Sequence, residues 1–147
     1  MEFEWRPATP EDLDFARDLT CRNMLRYYIH HDLLWQDAAF DVAWAGRDNR
    51  MITRGEDLLG YVSLSRDAAS LYIRELHITE AFRGQGAGSW AIDQMLAVAR
   101  GERRPALRLT VFTNNPAHAL YQRKGLRVVG RDECFLRMQV DLDRLQC

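Results

Sequence analysis

The chain has 147 residues, 47% hydrophobic and 28% charged, and its 20 basic and 21 acidic side chains leave a net charge of -1. That length fits one domain with its own core, residues 1–147. The near-cancelling charge gives no electrostatic reason to expect nucleic acid or an anionic membrane as partner, and no apolar run approaches the roughly 18 residues of a membrane span. The start, MEFEWRPATPED, carries early acids and no apolar stretch, so no signal peptide is expected. Cys21, Cys134 and Cys147 form no CxxC pair and are too few for a disulfide scaffold, which suits reduced structural thiols in a cytoplasmic protein.

Phe3 and Trp5 alternate with charged residues, as in a short first strand. Thr9-Pro10-Glu11-Asp12 follows: Thr9 can cap a helix, Pro10 fits its first turn, and Asp12 is an acid near the positive end of the helix dipole. A helix is expected from about Pro10 into the twenties. A second helical stretch is expected between Leu25 and Ala45, with Trp35, Phe40 and Trp44 among polar residues and no clear breaks.

From residue 50 the period falls to two. Met51-Ile52-Thr53 reads as a strand and Arg54-Gly55-Glu56-Asp57 as a turn. Leu58, Gly60, Val62 and Leu64 alternate with Leu59, Tyr61 and Ser63, which predicts a second strand and a hairpin. Leu71 to Ile78 is rich in β-formers. A glycine run comes next, Arg83-Gly84-Gln85-Gly86-Ala87-Gly88, and then Ile92, Met95, Leu96 and Ala99 mark one face of a helix that Gly101 and Pro105 end. Leu107, Leu109 and Val111 alternate as a strand. Asn115-Pro116 is a cap and first helical residue, with Ala117, Leu120, Tyr121 and Lys124 on one face and Gly125 at the C-terminal position. Leu126–Arg131 and Cys134–Leu142 are two strands joined by Asp132-Glu133. The order β, α, α, β, β, β, α, β, α, β, β predicts an α/β fold: a mixed, mostly antiparallel sheet with helices on both faces.

The glycine run lies between a strand and a helix. Glycine admits positive φ and lets a ligand approach the backbone, and the unpaired N–H groups of a first helical turn carry partial positive charge. A pyrophosphate suits such a place, and Arg83 adds a planar fork that can bind phosphate bidentately. The bland alternative is a glycine-rich turn without a ligand. A Walker A loop needs a lysine that Gly88-Ser89-Trp90 lacks. A dinucleotide fingerprint needs G-x-G-x-x-G early in its unit, whereas here G-x-G-x-G follows four strands.

Leu76-His77-Ile78-Thr79-Glu80-Ala81-Phe82-Arg83-Gly84-Gln85-Gly86-Ala87-Gly88 resembles the acetyl-CoA-binding motif of the GCN5-related N-acetyltransferases (GNAT), an aromatic followed by R/Q-x-x-G-x-G/A. Downstream, Asn114 to Leu126 is similar to the second signature of that family, N-x-x-A-x-x-L-Y-x-x-x-G-F, with Leu126 in place of phenylalanine. The resemblance implies acetyl-CoA as co-substrate, no metal, and direct transfer of acetyl to a primary amine of a small molecule or peptide. It implies that the Arg83, Gly84, Gln85, Gly86, Ala87, Gly88 and Ser89 loop holds the coenzyme A pyrophosphate. Leu76, His77 and Ile78 would pair with the pantetheine arm like an added strand, and the Ile78 amide would stabilise the oxyanion. Asn114 matches a side chain that contacts the pantetheine arm, and Ala117 and Lys124 share its coenzyme-facing motif. Tyr121 matches the general acid: a phenol with pKa near 10 can protonate a departing thiolate whose conjugate acid lies near 8.5.

Glu75, just before those strand residues, is the candidate base for the acceptor amine, directly or through water; the alternative is an acid on an exposed strand face. His77 has a suitable intrinsic pKa, but its side-chain direction is open. Tyr27, Tyr28, His30, His31 and Trp35 could line an acceptor pocket or divide between core and surface, and adjacent His30-His31 does not suit a metal. A non-catalytic acyl-CoA-binding sensor or interaction module is the alternative function, and a different nucleotide ligand a weaker one. Relatives often form homodimers, and nothing in this sequence decides that.

Overall fold

A computed structural model describes residues 2–142; Cys147, among the expected thiols, lies outside them. The strands are β1 (Phe3–Pro7), β2 (Asp48–Arg54), β3 (Asp57–Arg66), β4 (Ser70–Ile78), β5 (Ala106–Phe112), β6 (Arg127–Arg131) and β7 (Phe135–Asp141). The helices are α1 (Leu13–His30), α2 (Asp37–Ala45), α3 (Ala87–Gly101) and α4 (His118–Arg123), with single 3-10 turns at Pro10–Asp12 and Glu80–Phe82. The seven strands form one sheet in the order β1-β2-β3-β4-β5-β7-β6. Its pairs β1–β2, β2–β3, β5–β7 and β6–β7 are antiparallel, while β4 and β5 run parallel from Ser70/Ala106 to Ile73/Leu109. The expected element order therefore matches. No helix among the described residues is long and apolar enough to cross a membrane.

The chain forms two compact units, each built from separate stretches: residues 1–64 with 75–88, and residues 65–74 with the chain from Ser89 on. In the first unit, the backbone N–H of Thr9 donates to Asp12 Oδ2 at 2.8 Å, and Arg6 forks onto the same carboxylate at 2.8 and 3.1 Å. The capping reading of Thr9 and Asp12 holds, although the first turn is 3-10 and the α-helix proper starts at Leu13. α1 also runs further than expected, to His30. The break that the sequence left unplaced falls at 31–36, where Asp32 takes φ +58°, a left-handed conformation that asparagine and aspartate tolerate better than most residues.

Ala16, Leu19, Phe40, Met51 and Tyr61 form the core of this unit, with Leu13, Trp35, Trp44 and Leu58 against it. A run of ring contacts, Tyr28–Trp35–Phe40–Trp44–Tyr61–His77, carries that core from α1 to β4 with centroid spacings of 5.4 to 6.0 Å. The alternation read over β3 does not persist as exposure: Leu59 through Leu64 are all buried, so both faces of this strand are covered. Gly60 is required there. A Cβ on it would stand 2.0 Å from the carbonyl oxygen of His77, so β3 and β4 could not approach as they do.

In the second unit, Ile92, Met95, Leu96 and Ala99 are all buried, as the 3.6-residue period predicts. α3 begins at Ala87, and its C-terminal turn is followed by Arg103 at φ +57°. α4 is shorter than expected. Asn115 Oδ1 accepts the Ala117 N–H at 2.9 Å, holding 115–117 in a turn so that the helix starts at His118. Its C-terminus is closed by Leu126 N–H on the Tyr121 carbonyl and Gly125 N–H on that of Gln122.

Candidate active site

The first unit holds most of the sequence-predicted residues. The backbone N–H of Thr79 donates to the Leu59 carbonyl at 2.8 Å. Strand alternation then turns the N–H and C=O of His77 toward β3 and those of Leu76 and Ile78 toward the opposite edge. The register of β4 with β5 covers only its first residues, Ser70 to Ile73. On that outer edge the Ile78 carbonyl accepts Arg83 Nε at 3.3 Å and Asn23 Nδ2 at 3.5 Å.

Beyond Ile78 the 3-10 turn leads to the glycine run. Gly84 at φ +77° and Gly86 at φ +91° take the left-handed conformation that glycine adopts without steric cost, and nothing lies within 4 Å of where a Cβ would be. Gly84, Gln85 and Gly86 are exposed, while Ala87 is buried at the start of α3. Arg83 differs from expectation. Its fork is turned back onto protein, with Nε on Ile78 O and Nη2 on Asn23 Oδ1. Its remaining N–H groups alone are left for a phosphate. A second cation stands at the loop: Arg54 Nη2 donates to Gln85 Oε1 at 2.6 Å, and its guanidinium lies 5.9 Å from the Phe82 ring centre.

On one face of β4, Glu75 and His77 are two residues apart. His77 is 5% exposed, Glu75 partly exposed. Glu75 Oε1 meets His77 Nε2 at 2.8 Å, and Oε2 lies 3.8 Å from Arg47 Nη1. His77 Nδ1 stands 3.2 Å from Asn23 Nδ2, and its ring lies 5.7 Å from that of Tyr61. The open question of the His77 side chain is thus answered: it is buried between α1 and β3, and it holds Glu75. The aromatic cluster on and after α1 divides. Tyr27 is buried and takes a hydrogen bond from Arg26 at 2.9 Å, while His30 is exposed beside His31, ring centres 4.8 Å apart. Burial, and then the Glu75 charge, holds the Tyr28 phenol above its ordinary range. Burial likewise pushes the Tyr61 phenol well up, with Glu75 adding and its bond to Thr20 opposing. No group of three or more metal-ligating side chains occurs among the described residues.

The second unit carries the remaining predicted residues. Ser89 lies in the first turn of α3. Asn114 is exposed, Ala117 precedes α4, and Tyr121 on α4 is 9% exposed. The Lys124 ammonium forks onto the Asp93 carboxylate at 2.9 and 3.0 Å, so it is neutralised within the unit.

Asn23, Arg47, Arg54 and Tyr61 escape sequence reading. Their partners lie 16 to 60 residues away, and no local pattern marks them. The one signal available was the polar Asn23 inside a helix whose neighbours Leu19 and Thr20 are buried.

The fold is the acyl-CoA N-acyltransferase fold. The "Acetyltransferase (GNAT) family" model matches residues 12–126, and the chain belongs to that family. Among solved structures it is similar to the PaiA N-acetyltransferase of Thermoplasma acidophilum in complex with coenzyme A, at 14% identity and TM-score 0.76, over 97% of this chain and 100% of that one. The ribosomal-protein-S18-alanine N-acetyltransferase of Escherichia coli is 15% identical at TM-score 0.77, over 95% and 94%. A GNAT family acetyltransferase of Elizabethkingia anophelis with acetyl-CoA bound is 15% identical at TM-score 0.72, over 95% and 98%.

Proposed function

We propose that this chain is a single-domain, cytoplasmic N-acetyltransferase that moves acetyl from acetyl-CoA to a primary amine of a small molecule or peptide. One observation carries the reading most: Leu76 and Ile78 direct backbone hydrogen-bonding groups to the outer edge of β4, ahead of a loop that Gly84 and Gly86 hold in left-handed geometry. A pantetheine arm can extend such an edge, and a pyrophosphate can take the amides of residues 83–89. The coenzyme A and acetyl-CoA bound to two similar structures support the same ligand.

In this reaction Glu75 accepts a proton from the ammonium form of the acceptor, directly or through water. The free amine attacks the thioester carbon, and the Ile78 N–H stabilises the oxyanion that forms. Collapse breaks the carbon–sulfur bond, and Tyr121 gives its proton to the departing thiolate. The surplus proton on the acceptor nitrogen returns through water to the Tyr121 phenolate, and Glu75 releases its proton to solvent. The products are an acetamide and coenzyme A thiol. Asn114 and Ala117 contribute to coenzyme binding, with Lys124 acting through its pair with Asp93.

An acceptor screen that reads thiol released from acetyl-CoA tests the proposal. Thiol release with an amine, lowered about 10²-fold in kcat by Tyr121→Phe with little change in KM for acetyl-CoA, is the expected result. Binding of acetyl-CoA without thiol release across a broad amine panel would identify a sensor instead.

A further inference from the structure

Arg83, Asn23, His77 and Glu75 form a hydrogen-bonded chain, and its direction follows from which atoms can donate. A guanidinium donates only, so the contact of Arg83 Nη2 makes Oδ1 of Asn23 the acceptor. The Asn23 amide nitrogen then faces His77 Nδ1 at 3.2 Å and the Ile78 carbonyl at 3.5 Å, both of which must accept. The opposite orientation of the amide would set its N–H groups against a guanidinium and its oxygen against a carbonyl. A neutral imidazole that accepts at Nδ1 carries its hydrogen on Nε2. Nε2 is 2.8 Å from Oε1 of Glu75, a carboxylate oxygen that accepts. All three links therefore agree in direction, from the donor-only Arg83 to the acceptor-only Glu75.

We propose that Asn23 is a positioning residue for Glu75. Oriented by Arg83, it locks His77 in the Nε2–H tautomer, and the His77 N–H then fixes one carboxylate oxygen of Glu75. Among the described residues, the other oxygen, Oε2, has the loose 3.8 Å contact with Arg47, and it is the one presented to an acceptor amine. The Tyr61 ring packs against the imidazole at 5.7 Å, tilted by 32°. In this arrangement the glycine-loop arginine and the base belong to one polarised chain. The proposal rests on reading Glu75 as the base.

The tautomer is directly observable. In the full-length protein labelled with 15N and free of ligand, long-range 1H–15N spectra at mildly alkaline pH distinguish the two imidazole nitrogens, and His77→Gln identifies the His77 signals. The expected wild-type pattern is a protonated Nε2 and a bare Nδ1. Asn23→Asp replaces the donor with an acceptor and is expected to bring the proton to Nδ1; a purely structural role for Asn23 would leave the tautomer alone. In the thiol-release assay the same variant should lose about tenfold in kcat through the misplaced carboxylate. A wild-type Nδ1–H pattern overturns the proposal, as does an Asn23→Asp protein with the wild-type tautomer or undiminished kcat. If Asn23→Asp does not fold, the wild-type spectrum decides. Failure of the base reading is seen separately, as undiminished thiol release by Glu75→Gln in a protein whose His77 shows the expected tautomer.

Discussion

Glu75 and His77 stand on the same face of β4, two residues apart, with Oε1 and Nε2 at 2.8 Å. Because strand side chains alternate, the intervening Leu76 points to the other face while its backbone groups serve the outer edge. One strand segment can thus present a carboxylate on a face and peptide groups at an edge. In the proposed reaction, that division would let acid–base work and coenzyme pairing use neighbouring residues without competing for the same atoms.

Glu75→Gln keeps size and a hydrogen-bonding oxygen for His77 but removes the basic carboxylate. With the amine found by acceptor screening, kcat is expected to fall about 10²-fold at neutral pH, with coenzyme affinity changed little. Raising the pH should recover part of the loss, since more acceptor then arrives already deprotonated. A variant equal to wild type at every pH would remove Glu75 from the reaction.

Gly86 tests the loop. Its φ of +91° meets open space, so the obstacle to alanine is conformational and no neighbour is displaced. Left-handed geometry costs a Cβ-bearing residue about 1 to 2 kcal/mol, about tenfold in an equilibrium constant. In the free protein the exposed loop can relax around an alanine, so the cost falls on binding: Gly86→Ala should weaken coenzyme A binding in calorimetry by about that factor and leave the unfolding midpoint nearly unchanged. Unaltered binding would show that the Gly86 backbone does not hold the ligand.

The parts of the molecule legible in sequence are those set by local periodicity. The buried face of α3 repeats at Ile92, Met95, Leu96 and Ala99, and a helix converts that spacing into a stripe without help from elsewhere. The glycine loop is legible because positive φ selects its residue type. By contrast, the 31–36 break turns on Asp32, which no glycine or proline announces. The setting of Glu75 depends on Asn23 from α1 and Arg47 from before β2, contacts that tertiary packing alone creates. Arg83 shows the same limit: its type suited a phosphate, but the carbonyl of Ile78 and the amide of Asn23 compete for its fork.

Gly60 tests the packing that places His77. An alanine Cβ there would lie 2.0 Å from a backbone oxygen, which cannot move by changing rotamer. Overpacking commonly costs about 1 to 3 kcal/mol, and a backbone clash at the centre of a sheet belongs at or above the top of that range. Gly60→Ala should lower the urea midpoint accordingly. A loss under about 0.5 kcal/mol would mean that β3 and β4 part without cost at this point.

Glu102 sets a pH dependence in the second unit. Its carboxylate accepts from Arg66 Nε and Nη2 at 2.8 to 3.1 Å and from Arg104 Nε at 2.7 Å. The Arg66 hydrogen bonds foremost, then Arg104, bring its pKa from the ordinary 4.5 to about 2 against the opposing effect of burial. A carboxylate depressed in the folded state stabilises it above the unfolded pKa, and that contribution fades as pH falls through the folded value. The side chain is 31% exposed, so water and salt screen part of the effect. Urea unfolding of wild type and Glu102→Gln should therefore differ by a constant amount above about pH 4.5 and converge as the pH approaches about 2. Added salt should narrow the gap at neutral pH. A gap that persists unchanged to the acid end would assign the role of Glu102 to packing and remove its charge from the account.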